Sequence, residues 1–174
     1  MRILWCITGG GFMLEESCNA IIEMAKKHDI TLAYSKAGRE VAEMYGFSKT
    51  LKKVRETICE EKQGASSPIV CKLGRFELIV ISPCTANTTA KIATGIADSL
   101  VSNIAAQSLK SGKKVVVVPT DINRDVDTVI PSGKKIHLKC QDIDIENAKK
   151  MDGMENIVVA KNPKEVKNLV KNVD

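Results

Sequence analysis

The amino-acid sequence predicts an α/β fold: a doubly wound, mostly parallel sheet with helices on both faces, forming a three-layer sandwich. Short apolar, β-prone runs alternate along the chain with runs whose apolar residues recur at helical spacing. The runs "LIVI" and "VVVV" are apolar throughout, which indicates strands buried on both faces of a parallel sheet. With 174 residues, 44% of them hydrophobic, the chain is long enough for its own core, so we expect a single domain over residues 1–174.

The first half of the chain is predicted to contain two strands and two helices. Each strand is an apolar run, and each helix has apolar residues three and four positions apart. In chain order the elements are strand Arg2–Thr8, helix Met13–Lys27, strand Ile30–Tyr34, helix Lys36–Tyr45 and an irregular segment Phe47–Val70. The last segment is interpreted as irregular because the Gly, Ser and Pro residues of "KQGASSPIV" are typical of a loop.

The second half continues the alternation of strands and helices. Its predicted elements are strand Glu77–Ser82, helix Thr88–Lys110, strand Lys113–Pro119, a strand near Ile136–Cys140, a helix from Asp144, strand Ile157–Ala160 and helix Pro163–Val173. Gly95 falls in the middle of the long predicted helix, where glycine costs about 1 kcal/mol relative to alanine. We therefore expect Gly95 to permit close packing of this helix against the sheet or a neighbouring chain.

The composition argues against several classes of protein. No apolar run approaches the roughly 20 residues of a membrane-spanning helix, and the N-terminal run ends in a glycine turn, so we expect a cytoplasmic protein without membrane contact. The net charge of +5 comes from dispersed lysine pairs without interleaved aromatic residues, which argues against nucleic-acid binding but suits an acidic protein partner. The six cysteines include no CxxC pair, which favours reduced, mostly buried thiols over a metal site.

Ligands of doubly wound sheets bind at the carboxyl ends of the strands, and three of the predicted strand ends carry unusual residues. Gly9, Gly10 and Gly11 follow the first strand, and their backbone N–H groups suit a phosphate, although a plain tight turn explains them equally well. Ser35 and Lys36 follow the second strand, where a dinucleotide fold would place an acidic residue for a ribose. This hydroxyl and cation favour the terminal phosphate of a mononucleotide, unless Ser35 only caps the helix.

The third strand end reads "ISPCTANTT" and is rich in small polar side chains. Thr85, Asn87, Thr88 and Thr89 can be helix-capping residues, but one helix needs only one cap. Ser82 and Thr85 precede the predicted helix, on a turn that Pro83 stiffens. The surplus of small polar groups suits a flat heterocycle that lies along backbone amide and carbonyl groups.

The stretch "PCTANT", followed by "KIATGIADSLVSN", resembles the signature of the homo-oligomeric flavin-containing Cys decarboxylase superfamily. That superfamily includes phosphopantothenoylcysteine and lantibiotic cysteine decarboxylases and the flavin prenyltransferases. The segments "TGGGFMLEES", "YSKAG" and "EKQGASSPIVCKLGRFELIVISP" are similar to one branch of it, the archaeoflavoproteins and acceptor-type dihydromethanopterin reductases. The resemblance covers most of the chain and implies a flavodoxin-like (Rossmann-like) fold, an FMN cofactor and a homo-oligomer, either a trimer or a multiple of trimers.

The resemblance also implies which residues hold the FMN. The residues carried over by position are Gly9, Gly10, Gly11 and Ser35 for the phosphate and ribityl chain, and Thr85, Ala86, Asn87, Thr88 and Thr120 for the ring. Together with Lys36 and Ser82 from the strand ends, they make up the predicted FMN site.

The chain departs from the decarboxylases and prenyltransferases at residues characteristic of those enzymes. The segment "PIVCKLG" has no histidine where the decarboxylases carry one, "PTDIN" replaces a PAMN-like segment, and Thr85–Asn87 replaces the Ser-Met-Lys of the prenyltransferases. We interpret the two histidines, His28 and His137, as surface or structural residues. We therefore expect an FMN-dependent oxidoreductase without a catalytic acid or base, passing electrons from a ferredoxin-like donor to an acceptor such as dihydromethanopterin. The alternatives are a flavin-dependent decarboxylase or prenyltransferase, and a flavin-binding protein without catalysis.

Overall fold

The structure is a computed structural model and describes residues 1–51, 54 and 56–171. Its centre is a six-stranded sheet in which all the described neighbouring strands are parallel. The strands are β1 (Arg2–Ile7), β2 (Asp29–Tyr34), β3 (Glu56–Cys59), β4 (Leu78–Cys84), β5 (Val115–Pro119) and β8 (Ile157–Val159). The order across the sheet is β3-β2-β1-β4-β5-β8, so the chain builds outward from β1 in one direction and from β4 in the other. The predicted doubly wound α/β fold is confirmed.

Helices cover both faces of this sheet and complete the three layers. They are α1 (Leu14–Met24), α2 (Lys36–Met44), α3 (Ser48–Leu51), α4 (Glu60–Gln63), a 3₁₀ helix (Val70–Arg75), α5 (Ala86–Thr94), α6 (Leu100–Lys110), α7 (Asp142–Asp152) and α8 (Pro163–Lys171). Alternate residues of β1 face opposite sides of the sheet. Ile3 and Trp5 belong to a core shared with α1 and α8, whereas Leu4 and Cys6 belong to a core shared with α6.

The prediction of one long helix over Thr88–Lys110 is wrong, because the structure has two helices there, α5 and α6. Gly95 ends α5 in the left-handed conformation, with φ 78°, and the chain turns before α6 begins. Ser99 caps α6 by accepting a hydrogen bond from the Ser102 N–H at 3.3 Å. A Cβ at Gly95 would meet no atom within 4 Å, so the predicted close packing of this glycine against the sheet is wrong, and its packing against a neighbouring chain stays a prediction.

Gly95→Ala is expected to lower the free energy of unfolding by about 1 kcal/mol, because a side chain disfavours the left-handed conformation that ends α5. Asparagine tolerates this conformation better, so Gly95→Asn is expected to lose less. Urea unfolding, followed by the fluorescence of the single, buried tryptophan Trp5, measures both losses. Gly74→Ala is the control, because a Cβ there also meets nothing within 4 Å. An equal loss in the control would contradict the role assigned to the left-handed turn.

Two strands lie in segments where the sequence predicts none. β3 is an edge strand inside the segment predicted to be irregular, and it pairs with β2. β6 (Asp125–Val129) pairs antiparallel with β7 (Lys135–Lys139), and a turn around Pro131 and Gly133 joins them. Only β7 is predicted from the sequence. We refer to this unit as the β6–β7 hairpin.

Some predicted features fall outside the described residues. These are the last two positions of the final predicted helix, 172 and 173, and the lysine pair at 52 and 53. Within the described ranges, no helix is long and apolar enough to cross a bilayer.

Candidate functional site

Thr8, the residue that follows β1, joins two of the predicted strand ends. Its backbone N–H and its Oγ1 both donate to the carbonyl oxygen of Pro83, at 3.2 and 2.8 Å. The N–H of Thr85 donates in turn to Thr8 Oγ1 at 2.9 Å. Thr8 is 1% exposed, so water does not compete for these bonds. They fix the glycine loop (Gly9–Gly11) against the start of α5.

The glycine loop packs closely against three other strand ends. A Cβ at Gly10 would lie 3.1 Å from Thr120 Cγ2 and 3.4 Å from Thr85 Cγ2. A Cβ at Gly9 would lie 2.7 Å from Ala37 Cβ, in the first turn of α2. The bare backbone of the loop therefore lies beside α2, the β4–α5 junction and the end of β5 at once. The structure thus brings the predicted strand ends together around this loop.

Within the described ranges, no side chain caps the backbone N–H groups of the first turn of α5. Thr85 is at the N-cap position, but its Oγ1 donates to Thr88 Oγ1 at 3.3 Å and accepts no N–H of the helix. Ala86 is half-buried and Asn87 is exposed, so both can be reached by a ligand. An uncapped helix start of this kind suits phosphate or carbonyl oxygen atoms.

Ser35 caps α2, as one of the two interpretations of the sequence predicts. Its Oγ accepts from the Gly38 N–H at 3.0 Å, so a ligand at Ser35 would use the hydroxyl hydrogen. The Lys36 N–H donates to Glu60 Oε2 at 3.0 Å, and Glu60 Oε1 accepts from the Leu100 N–H at 2.8 Å. The Glu60 carboxylate thus bonds to the first turns of both α2 and α6. Lys36 can therefore serve a phosphate only through its side chain, which is exposed.

Ser82 points into the protein rather than towards the loops. Its Oγ lies 2.8 Å from Ser17 Oγ, and its carbonyl oxygen accepts from Trp5 Nε1 at 2.8 Å. These bonds connect β4 to α1 and β1 in the fully buried core. A direct ligand contact by Ser82 stays a prediction, and the hydroxyl group is engaged with Ser17.

A cavity of about 260 Å³ lies between the glycine loop and the β6–β7 hairpin, and we call it the hairpin cavity. Three of the predicted site residues line it, namely Gly10, Gly11 and Thr120. The other lining residues are mostly apolar: Phe12, Tyr45, Asp121, Val126, Thr128, Ile130, Ile136, Leu138 and Cys140. The Tyr45 hydroxyl donates to the Val129 carbonyl oxygen at 3.0 Å and so joins the end of α2 to the hairpin.

The sequence analysis does not predict that the β6–β7 hairpin forms one wall of this cavity. Its signal in the sequence is the alternation of polar and apolar residues in "DVDTV" and "KIHLK" on either side of a Pro-Ser-Gly turn. That pattern predicts a hairpin, but it does not show where the hairpin packs. Its position depends on contacts such as Tyr45 to Val129, between residues 84 positions apart.

Asp121 is the one carboxylate that lines the hairpin cavity among the described residues. Thr120 Oγ1 donates to Asp121 Oδ2, and Cys140 Sγ donates to Asp121 Oδ1 at 3.2 Å. Burial, and then the hydrogen bond to Asp121, raises the pKa of Cys140 to about 11. The Cys140 thiol is therefore protonated at neutral pH and acts as a donor to Asp121 rather than as a nucleophile.

Neither histidine lines the hairpin cavity. His137 is exposed on β7, with its ring nitrogens 2.9 Å from Asp127 Oδ1 and 3.1 Å from Asp125 Oδ1. Hydrogen bonds to Asp127 and then Asp125 raise the pKa of His137 above its ordinary value. This setting agrees with a surface role for His137. Among the residues that the structure covers, no group of three or more His, Cys, Asp or Glu side chains could hold a metal ion.

Cys71 is expected to be the first cysteine alkylated by iodoacetamide at neutral pH, because it is exposed and the other five are buried. Burial raises the pKa of Cys18 and Cys84 to about 12, so those thiols form almost no thiolate. Peptide mass spectrometry after brief labelling locates the modified residue. Labelling in denaturant is the control and should modify all six. Labelling of Cys84 as fast as Cys71 in the folded protein would contradict this expectation.

Comparison with known proteins relates the chain to flavin proteins. The model of the Flavoprotein family matches residues 1–171. A dihydromethanopterin reductase (acceptor) of Methanocaldococcus jannaschii is 29% identical, over 95% of this chain and 94% of that protein. Another, of Methanosarcina mazei, is 38% identical over 75% of this chain and 59% of its own length. Burkholderia xenovorans DmrB in complex with FMN, described as a cubic protein cage for redox transfer, superposes with a TM-score of 0.84 at 26% identity, covering 99% of this chain and 94% of that one.

Proposed function

The chain belongs to the Flavoprotein family, and we propose that it binds FMN at the glycine loop and transfers electrons from a low-potential donor to a pterin-like acceptor. A single FMN-binding domain over residues 1–174 is part of this proposal. The observation that carries it is the position of Gly10, whose bare backbone lies between Thr85 and Thr120 at the edge of an apolar cavity. The Gly10 N–H itself donates to the Thr8 carbonyl oxygen at 2.9 Å, so the N–H groups open to a phosphate are those of the first turn of α5 beside the loop. The apolar walls of the cavity suit a planar ring.

The residues present are suited to FMN. A side chain at Gly9 would collide with Ala37 and one at Gly10 would press on Thr120, so glycine keeps the loop backbone bare and close to the uncapped start of α5. We assign the phosphate and ribityl chain to Gly9, Gly10, Gly11 and Ser35, with the Lys36 side chain nearby, and the ring to Thr85, Ala86, Asn87, Thr88 and Thr120. When bound, FMN supplies the electron-transfer chemistry, and the chain supplies binding, orientation and exclusion of water.

The names of the relatives support the proposed class of electron acceptor, and the net charge of the chain supports the proposed class of electron donor. Two relatives are named dihydromethanopterin reductases (acceptor), which supports a pterin as the acceptor. The net charge of +5 supports an acidic donor such as a ferredoxin. The cavity has no histidine among its lining residues, so the geometry does not favour the histidine-dependent decarboxylases.

A cytoplasmic homo-oligomer, a trimer or a multiple of trimers, is also part of the proposal. The Burkholderia xenovorans protein is described as a cubic cage. On a single chain, Ile96 and Ile143 are each about half exposed, at 49% and 54%, and supply apolar surface for contacts between subunits. Light scattering on the purified protein measures the subunit number, and a monomer at all concentrations would exclude this arrangement.

An FMN titration followed by anaerobic reduction tests the proposed function. The purified protein is expected to quench the fluorescence of added FMN at one equivalent per chain. Reduced ferredoxin should then bleach the bound flavin, at a rate that falls as salt is raised. Protein that stays colourless after soaking in FMN would overturn the flavin site. Bound FMN that ferredoxin never reduces would overturn only the choice of donor.

A further inference from the structure

A second and larger cavity, of about 420 Å³, adjoins the hairpin cavity. Gly11, Phe12 and Tyr45 line both of them, as do Thr128 and Ile130 of the hairpin region. A molecule in the second cavity would therefore lie beside whatever occupies the first. This is the arrangement that electron transfer between a cofactor and a second ligand requires.

The side chains of the second cavity are of two kinds. Its apolar wall contains two aromatic rings and two methionines: Phe12, Met13, Met44 and Phe47. Among the residues that the structure describes, its charged lining residues are all carboxylates: Glu15, Glu16 and Asp127. We call it the acidic cavity. In a chain with a net charge of +5, this local negative charge disfavours an anionic ligand and favours one that presents N–H donors.

Two of the three carboxylates are the candidates for ligand recognition. Asp127 already bonds to the His137 ring at 2.9 Å on the hairpin. Glu15 and Glu16 are exposed in the first turn of α1, where a carboxylate is also favoured by the helix dipole. The dipole accounts for acidic residues at this helix start. It does not account for their sharing one cavity with an apolar wall built from two separate segments of the chain, 12–13 and 44–47.

A carboxylate recognises two parallel N–H donors, as it does in its pairing with arginine. The 2-amino-4-oxopyrimidine ring of a pterin presents such a pair, from its N3–H and its amino group. The pyrimidine ring of a flavin instead presents one N–H between two carbonyl oxygens, and a carboxylate repels those oxygens. The acidic cavity is therefore chemically suited to a pterin and unsuited to the flavin, whereas the hairpin cavity has mostly apolar walls.

We propose that the acidic cavity binds the aminopyrimidine head of the pterin acceptor, with Glu15 and Glu16 as the carboxylates that select it. The apolar wall of Phe12, Met13, Met44 and Phe47 covers the ring faces. This inference rests on the proposed function, because it places the acceptor of the same reaction. It adds the chemical feature by which the acceptor is chosen, a pair of adjacent N–H donors.

Binding of pterin and lumazine to the oxidised, FMN-loaded protein tests this assignment. Lumazine carries a 2-oxo group where pterin carries the 2-amino group, so the two probes differ only at the edge that the carboxylates would contact. Calorimetric titration is expected to show pterin binding at least about tenfold more tightly than lumazine. In the Glu15→Gln/Glu16→Gln double variant this preference should disappear, and the single variants show which carboxylate carries it.

Glu40→Gln is the matched control, because Glu40 is an exposed carboxylate on α2 that is not among the lining residues of the acidic cavity. It should retain the full preference for pterin. FMN affinity, measured on every variant, shows whether the fold and the flavin site are intact. Equal binding of the two probes, no binding of pterin, or a preference that survives in the double variant would each overturn the inference. Failure to bind FMN would instead overturn the proposed function, and the two probes can then be compared on the flavin-free protein.

Discussion

Gly10→Val is expected to weaken FMN binding at least about 100-fold while the domain still folds. A Cβ at this position would lie 3.1 Å from Thr120 Cγ2 and 3.4 Å from Thr85 Cγ2, so a single methyl group already fills the gap. The two additional methyl groups of valine must enter the hairpin cavity or displace the neighbouring loops. Either outcome removes the space for a ring beside the loop and blocks access to the uncapped first turn of α5 that a phosphate needs.

Gly10→Ala is expected to give an intermediate loss of about tenfold, because Thr120 and Thr85 need to move by only a few tenths of an ångström. Titration of FMN fluorescence gives the affinity, and thermal unfolding without FMN reports on the fold. Gly74→Ala is the matched control, since a Cβ there meets nothing within 4 Å, and it should bind FMN as the natural chain does. Normal FMN affinity in Gly10→Val would show that the flavin does not lie at this loop.

The sheet is predictable from the sequence because its central strands are buried on both faces. In β4 and β5 every residue is buried, so the apolar runs stand out against the polar helices and loops. β3 and β6 lack this signal. Glu56 and Thr57 are exposed at the sheet edge, and β6 carries exposed Asp125 and Asp127. When a strand buries only alternate residues or lies at a sheet edge, its sequence is similar to that of a loop.

The break between α5 and α6 shows that apolar residues at helical spacing do not establish one continuous helix. Apolar residues continue at helical intervals through Ile96, and only Gly95 interrupts them. A glycine is compatible with both a helix interior and a left-handed helix end. In the structure Gly95 is a left-handed helix end, Ile96 is 49% exposed, and Ser99 caps a new helix. The choice depends on how α5 and α6 pack against other elements, which local spacing does not encode.

One part of the candidate site can be predicted from the sequence, and another part cannot. Residues at the ends of β1, β2 and β4 are predictable, because parallel strands end at one edge of the sheet and these ends carry glycine or small polar residues. The acidic cavity is not predictable, since Phe12, Met44 and Asp127 come from three distant segments. No local pattern connects them. They meet only because the hairpin packs over the end of α2, through the bond between Tyr45 and Val129.

Gly38→Ala is expected to destabilise the protein by about 3 kcal/mol, because it forces the start of α2 away from the end of β1. A Cβ at Gly38 would overlap the carbonyl oxygen of Ile7 and lie 2.9 Å from its carbonyl carbon. Both are backbone atoms in the centre of the sheet, so they cannot move aside as a flexible side chain would. The new atom would also lie 3.1 Å from Ser35 Oγ, which caps α2 through the Gly38 N–H.

The same shift should weaken FMN binding beyond the loss of stability. Moving the start of α2 displaces Ser35 and also Lys36, whose N–H is held by Glu60. Urea unfolding followed by Trp5 fluorescence measures the stability, and FMN titration at low temperature measures the affinity of the molecules that remain folded. Gly153→Ala is the control, because its Cβ would make an ordinary 3.6 Å contact with the Lys150 carbonyl oxygen, and it should change stability by less than about 0.5 kcal/mol. If Gly38→Ala unfolds at the same urea concentration as the natural chain, α2 does not press on β1 as closely as the structure shows, and the position of Ser35 beside the glycine loop loses its support.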